Sequence, residues 1–178
     1  NEHLIEAGRS AQTFVSLVDP DDQNYPEPDT LNARIARYCT ESGQDEPASV
    51  GAIARCILES LALKQAEVVD LLTAVTGREI DQLHVVGGGA NNELLCSMTA
   101  SATGRSLLAG PAEATTVGNL IGQAIALDEL ASLEEGRDLV RRSFKPVEYE
   151  PSGDSVWQEA RHRFQTLTSA KSEVGAFN

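Results

Sequence analysis

The sequence predicts a helix-rich α/β domain with a few short strands. Apolar residues recur at steps of three, four and seven over long stretches, which is typical of helices with one buried face. Two short apolar runs, residues 82–86 and 106–109, are bounded by glycine and predict strands. A length of 178 residues, with 41% hydrophobic and 23% charged residues, suits one compact domain or a piece of a larger one.

Charge and composition exclude several classes of protein. Lys and Arg number 14 against 27 for Asp and Glu, a net charge of −13, so a basic nucleic-acid surface is not expected. The sequence holds neither a polybasic segment nor an apolar run of about 18–20 residues, so a membrane partner is not expected. Three cysteines are too few for a disulfide scaffold, and we expect a cytoplasmic location.

The first 29 residues are predicted to form an irregular lead-in. A short helix is expected over residues 4–9, followed by the apolar residues 13–18. Residues 19–28 hold three prolines and several acids, which predicts an exposed loop.

A pair of helices should follow, over residues 30–41 and 50–75. Ser49 suits an N-cap of the second helix, and Gly77 stands where a helix C-terminus favours glycine. The apolar spacing of the second helix predicts a buried stripe. Its members are Ile53, Ile57, Leu61, Val68, Leu72 and Val75.

Two cysteines lie symmetrically about the turn of this helix pair. An antiparallel hairpin would bring Cys39 close to Cys56, so a disulfide between them is geometrically allowed. The alternative is that both pack as small apolar side chains at the helix interface, which a reducing compartment favours.

The second half alternates strands and helices. The buried strand 82–86 leads through three glycines to a helix that begins at the asparagines and ends before Gly104, and strand 106–109 follows. A helix over 114–129 carries Gly118 and Gly122 on one face, which predicts close backbone packing. A capping box predicts a helix over 133–142, residues 144–151 should be extended or irregular, and a last amphipathic helix is expected over 152–172. The apolar side of that last helix comprises Val156, Trp157, Ala160, Phe164 and Leu167.

The glycine-rich turn is the segment that carries chemistry. Glycine lets another molecule approach the backbone, and the helix N-terminus behind it favours negative charge, so the pair suits a nucleotide. The turn is not a P-loop, because no Gly-Lys-Ser/Thr follows it, and Asn92 stands where the dinucleotide fingerprint needs its third glycine. From spacing alone, a nucleotide site and a simple tight turn both remain open.

The wider sequence resembles the FGGY family of carbohydrate kinases. Residues 84–95 (HVVGGGANNELL) and 99–104 (TASATG) resemble its adenosine motif, and residues 109–119 (AGPAEATTVGN) resemble its C-terminal signature. Residues 54–62 (ARCILESLA) are similar to its long helix. The resemblance extends from about residue 15 to 151, and the signature block points more narrowly to the family members that phosphorylate L-rhamnulose.

The resemblance implies an α/β fold that is part of a ribonuclease-H-like, actin-type ATPase domain. It divides the chain into a lead-in (1–29), the adenosine side of the C-terminal kinase domain (30–151), and a C-terminal helix and tail (152–178). Nucleotide-binding residues are implied at Gly87, Gly88, Gly89, Asn91 and Asn92. For both asparagines the alternative is to cap the following helix. The general-base Asp of the family is expected upstream, so neither a catalytic residue nor a metal ligand is predicted here.

The implied function is that of a C-terminal fragment of an ATP-dependent sugar kinase, which supplies the adenine and ribose side of an interdomain cleft. MgATP would be the co-substrate, with Mg²⁺ held mainly through the nucleotide, and a ketose would be the acceptor in the full-length protein. The alternatives are another sugar of the family (xylulose, fuculose or glycerol) or a non-catalytic module that keeps the fold. The fragment alone should be inactive, and an exposed strand edge or apolar patch should lead to self-association.

Overall fold

The computed structural model describes residues 2–22 and 30–175, which contain seven α-helices and three strands. In chain order the elements are α1 (Glu2–Ser10), α2 (Leu31–Glu41), α3 (Val50–Thr76), β1 (Gln82–Val85), α4 (Glu93–Thr103), β2 (Ser106–Ala109), α5 (Ala114–Ala126), α6 (Leu133–Ser143), β3 (Val147–Tyr149) and α7 (Ser155–Gly175). A short 3₁₀ helix, Gly88–Asn91, links β1 to α4. The predicted order of seven helices and two strands is confirmed, and the third strand lies in the segment predicted to be extended or irregular. Much of the predicted loop 19–28 lies outside the described residues.

Local sequence explains where the helices begin and end. The hydroxyls of Thr30, Ser49 and Ser132 each accept a hydrogen bond from the backbone N–H three residues later, which satisfies an otherwise unpaired donor. Gly77 and Gly104 end α3 and α4 in the left-handed conformation that glycine adopts without strain. These boundaries were therefore predictable from short-range chemistry.

The strands form one small sheet with the order β1–β2–β3. β1 and β2 are parallel, with Leu83 opposite Leu107, and β2 and β3 are antiparallel, with Leu107 opposite Tyr149. The prediction that β1 is buried was wrong, because Gln82 and His84 are exposed. Only one face of β1 packs on α4, and within the described chain its outer edge has no partner strand.

The main core lies between α3, α4 and α7. Ala160 and Phe164 of α7 are buried, which confirms the centre of the apolar side predicted for the last helix, whereas Val156 is exposed. None of the helices in the described part of the chain is long and apolar enough to cross a membrane. The buried members of this core are Leu17, Ala62, Leu63, Ala66, Leu94, Met98, Ala102, Ala160 and Phe164.

Residues 14–18 have no strand partner in the described part of the chain. Side chains from two helices and a loop bind their backbone groups instead. Gln44 is bonded to both backbone groups of Leu17, its Oε1 accepting from the N–H at 2.9 Å and its Nε2 donating to the carbonyl at 2.8 Å. Arg163 of α7 donates to the carbonyl oxygens of Phe14 (2.7 Å) and Val15 (3.0 Å). The segment thereby lies on the core, as part of the same packed unit as α3 and α7.

The helix pair α2–α3 encloses a second cluster that contains Cys39 and Cys56. The disulfide that the sequence allowed between them is not formed: both thiols are free and buried, as is Cys96. Burial raises the pKa of the Cys56 thiol to about 12 and also raises the pKa of Cys39. The two cysteines pack as small apolar side chains, the alternative that the sequence left open.

The buried stripe predicted along α3 was wrong for its second half, because Val68, Leu72 and Val75 are exposed. The buried face turns toward α1 and α4 instead, where small side chains let the helices approach. Its residues are Gly51, Cys56, Glu59, Ser60, Ala62, Leu63, Ala66 and Val69.

Helix α5 also departs from expectation. None of its described residues is buried, and a Cβ atom added to Gly118 or Gly122 would meet nothing within 4 Å. Close packing at these glycines, which the sequence predicted, is therefore absent from the described part of the chain. α5 contacts mainly α6, with which it forms a helical hairpin beside the core.

Candidate functional site

The glycine turn is tied to the loop that follows β2. The N–H of Gly87 donates to the carbonyl of Pro111 at 3.1 Å, and the N–H of Gly110 donates to the carbonyl of Val85 at 2.8 Å. Gly87 has φ +79°, a conformation that a side chain rarely adopts. The turn is therefore a defined structure in which glycine is needed at Gly87 for the backbone.

The next two glycines are not required by the folded chain. A Cβ atom at Gly88 would meet nothing within 4 Å, and one at Gly89 would lie in ordinary contact, 3.7 Å from Cγ1 of Val85. Neither residue has a positive φ, and both are exposed. The bare backbone at Gly88 and Gly89 thus borders open space that another molecule could fill.

The structure separates the two asparagines. Asn92 is the N-cap of α4, and its Oδ1 accepts from the N–H of Leu95 at 3.1 Å. This is the capping role that the sequence left open for both residues. Asn91 is exposed at the end of the 3₁₀ helix.

Cys96 supports the turn from beneath. Its thiol donates to the carbonyl of Gly89 at 3.7 Å from within the cluster that joins α4 to the sheet. Burial raises the pKa of this thiol, with a further contribution from Glu93. Cys96 therefore remains protonated as a donor at neutral pH.

A groove of about 450 Å³ lies between the glycine turn, α1 and α3, within the size range of small-molecule sites. Backbone of the glycine turn and the amide side chains of Asn91 and Asn92 form one rim of the groove. Aliphatic side chains of α1 and α3 form the opposite side. The groove is lined by Leu4, Ile5, Ala54, Ile57, Leu58, Gly88, Gly89, Asn91, Asn92 and Leu95. Of the predicted site residues, Gly88, Gly89, Asn91 and Asn92 meet in this lining, and Gly87 shapes the turn next to it.

Sequence reasoning missed the aliphatic side of the groove. Leu4 and Ile5 precede the turn by more than 80 positions, and the apolar residues of α3 were assigned to the core. The available signal was Gly51 followed by Ala54, two small residues one turn apart, which favours close approach of another helix. Which helix would approach could not be read from that spacing.

Comparison with known proteins decides the family. A family model described as the FGGY family of carbohydrate kinases, C-terminal domain, matches residues 2–127, well over half of the chain. The chain belongs to this family. The FGGY C-terminal domain has the actin-like ATPase fold, so the predicted fold class is confirmed.

Two curated relatives of this FGGY chain are named Rhamnulokinase. The protein from Bacteroides thetaiotaomicron is 40% identical over 162 residues, which cover 91% of this chain and 33% of that protein. The protein from Klebsiella pneumoniae is 41% identical over 139 residues, covering 78% and 28% respectively. The chain thus spans about a third of the length of the curated relatives it matches.

A solved structure supports the fold. The xylulose kinase from Rhodospirillum rubrum superposes with a TM-score of 0.54 at 20% identity, over 74% of this chain and 27% of that one. This likeness concerns the fold alone, and it agrees with the fold of the family whose model matches the chain.

Proposed function

We propose that this FGGY chain is the nucleotide side of an ATP-dependent sugar kinase, which transfers the γ-phosphoryl group of MgATP to the 1-hydroxyl of L-rhamnulose. The products would be L-rhamnulose 1-phosphate and ADP. The observation that carries the proposal is the groove in which bare glycine backbone faces an aliphatic wall. The names of the relatives at about 40% identity support L-rhamnulose as the acceptor.

In this proposal the adenine ring lies in the groove. Aliphatic side chains such as Ile5 and Leu58 contact a ring face, and the ribose passes over Gly88, where a side chain would block it. Exposed Asn91 offers both a donor and an acceptor to the edge of the base. Asn92 lines the groove while it holds the first turn of α4 in place.

The chemistry of phosphoryl transfer is mainly positioning and charge neutralisation. This chain binds and orients the nucleoside, and the parent supplies the general base, the phosphate loop and the sugar contacts. No group of three or more His, Cys, Asp or Glu side chains among the described residues is arranged to hold a metal. Magnesium, which neutralises phosphate charge when bound, would in this proposal be held mainly through the nucleotide.

The proposal carries three further expectations. Closure of the parent's two domains would exclude water and so limit wasteful ATP hydrolysis. The 178 residues alone should not phosphorylate a sugar. We place the parent in the cytoplasm, which the small number of cysteines supports.

Activity of the full-length parent tests the reaction. ADP release with MgATP would be followed over L-rhamnulose, L-fuculose, D-xylulose and glycerol. We expect turnover with L-rhamnulose and little with the others. Turnover with a different sugar would support kinase activity and assign a different acceptor. The absence of both turnover and ADP binding would favour a non-catalytic module.

A pair of variants tests the site. Gly88→Arg fills the open space with a side chain, and we expect MgADP affinity of the parent to fall about tenfold to a hundredfold. Ser97→Arg adds the same charge on the exposed face of α4, outside the groove lining, and should bind MgADP as the wild type does. Equal affinity of Gly88→Arg and wild type would mean that the nucleotide binds elsewhere.

A further inference from the structure

Helix α1 supplies part of the groove wall but is too short to be stable alone. It has nine residues, and helices below about 12–15 residues are marginal in water. Leu4 and Ile5, which line the groove, are therefore ordered only as well as α1 is held against α3. The contacts between these two helices determine whether the wall is fixed before a ligand arrives.

The backbones of α1 and α3 are in direct contact at one point. A Cβ atom at Gly51 would lie 2.5 Å from the carbonyl oxygen of Ala7, and one at Gly8 would lie 3.6 Å from Cβ of Ala54. This close approach sets the distance between the helices. The contact at Gly51 and Gly8 does not fix the C-terminal end of α1, which other groups hold.

Arg55 and Glu59 of α3 hold that end, and we call them the Arg55–Glu59 pair. Nη1 of Arg55 donates to the carbonyls of Gly8 and Arg9 at the end of α1, both at 3.1 Å, and the Gly8 carbonyl also accepts from the N–H of Ala11 at 3.3 Å. Nε of Arg55 donates to Oε1 of Glu59 at 2.7 Å, and Oε2 of Glu59 accepts from the N–H of Phe14 at 2.9 Å. One buried ion pair thus joins the end of α1, the segment after it and α3.

The pair is almost excluded from water. The side chains of Arg55 and Glu59 are 13% and 1% exposed, and removal of one partner would leave the other charge buried without compensation. Burial raises the pKa of the Glu59 carboxyl, and the hydrogen bonds from Arg55 and the Phe14 N–H oppose that shift. Neither side chain lines the groove.

We infer that the Arg55–Glu59 pair consists of positioning residues for the nucleotide: it fixes α1, and through it Leu4 and Ile5, as a preformed wall against the base. The inference rests on the proposed function of the groove. A wall already in place removes the entropy cost of ordering it on binding. The pair consequently affects ligands that carry a base and not ligands that lack one.

The test uses the full-length parent and the double variant Arg55→Met/Glu59→Met. Replacing both buried charges by apolar side chains of similar length is often neutral for stability, so the domain should remain folded. The same replacement removes the guanidinium donors to the end of α1. We expect MgADP affinity to fall about tenfold, while inhibition by magnesium tripolyphosphate, which has no base, stays unchanged. Amide hydrogen exchange of residues 4–8 should accelerate.

Two further variants complete the design. Arg55→Lys keeps the charge but lacks the planar fork that reaches Glu59 and both carbonyls, so we expect an intermediate loss of MgADP affinity. The exposed pair Asp138 and Arg141 of α6 provides the control, because Asp138→Met/Arg141→Met removes an ion pair on a helix outside the groove lining. That control should leave both ligands and the exchange of α1 unaffected.

The outcomes separate the two proposals. If wild type binds MgADP and Gly88→Arg does not, while the double variant binds as wild type does, the positioning role is refuted and the nucleotide site stands. A parallel loss of both ligands would show a structural role only. If the wild-type parent does not bind MgADP, the proposed function itself is refuted.

Discussion

The two halves of helix α3 have opposite surroundings. In the first half, Gly51 contacts the backbone of α1, and the Glu59 carboxylate is buried with two hydrogen-bond donors. In the second half, apolar side chains at Val68, Leu71, Leu72 and Val75 recur at helical spacing but are exposed. A charged side chain of this helix is inside and a run of apolar ones is outside, the reverse of what composition alone would suggest.

The contrast extends to the elements next to each half. The first half lines the groove and packs closely on α1. The second half lines a pocket together with β1, whose outer edge has no partner strand in the described part of the chain. Contiguous exposed apolar surface of this kind marks an interface. The first half of α3 is thus packed against α1, whereas the second half presents an exposed apolar face.

The largest effect is expected at the contact between α1 and α3. Gly51→Ala places a methyl group 2.5 Å from a backbone oxygen that cannot rotate away, so the helices must separate. We expect a loss of about 3 kcal/mol in the free energy of unfolding, measured by urea denaturation of the chain.

The same substitution in the open region provides the control. At Gly118 nothing lies within 4 Å, so Gly118→Ala should stabilise α5 by about 0.5–1 kcal/mol. Equal losses at Gly51 and Gly118 would refute the division into a packed and an uncovered region.

An effect of intermediate size is expected on self-association. The isolated chain should form concentration-dependent oligomers through the exposed face of α3 and the edge of β1, and Leu72→Glu should weaken them about tenfold. Sedimentation equilibrium measures this. Leu139→Glu, at a similarly exposed position of α6, should have no effect. A wild-type chain that stays monomeric at high concentration would contradict the prediction.

The last effect, small per pH unit, concerns the buried thiols. The pKa of Cys56 is raised to about 12 in the folded chain, so folding keeps a proton that the unfolded chain releases near pH 8.5. The stabilisation is therefore fully present below about pH 8.5 and is lost as pH rises toward the folded value, by about 1 kcal/mol per pH unit and thiol.

Urea midpoints between about pH 8 and pH 10 measure this loss. The midpoint should fall over that range, and it should fall less steeply in Cys56→Ala. A slope in Cys56→Ala equal to that of the wild type would contradict the contribution of this thiol.

Part of the fold could be predicted because its signals are short-range. Ser49 and Gly77 bound α3 through hydrogen bonds within a few residues, and β2 followed from a run of four residues between a glycine and a turn. Burial of an apolar face cannot be decided in this way, as exposed Leu72 shows. Periodicity identifies the apolar face of a helix but not whether a partner covers it.

In the candidate site, too, the residues close together in the sequence could be predicted and those brought in by packing could not. The glycines and Asn91 were found because strand, turn and helix are consecutive in the sequence. The opposite wall at Leu4 and Ile5 was missed, because it reaches the groove only through the packing of α1 on α3. Asn92 needed the structure to show that its side chain caps α4.

By itself the sequence determined the helices, the strands β1 and β2, the glycine turn and the family, since each depends on residues close together in the chain or on a run of matching residues. Only the tertiary structure decided which face of α3 is covered, where α1 lies and what opposes Gly88. Those outcomes depend on contacts between residues far apart in the chain. Their free energies come from shape and desolvation at a shared surface, which no local pattern contains.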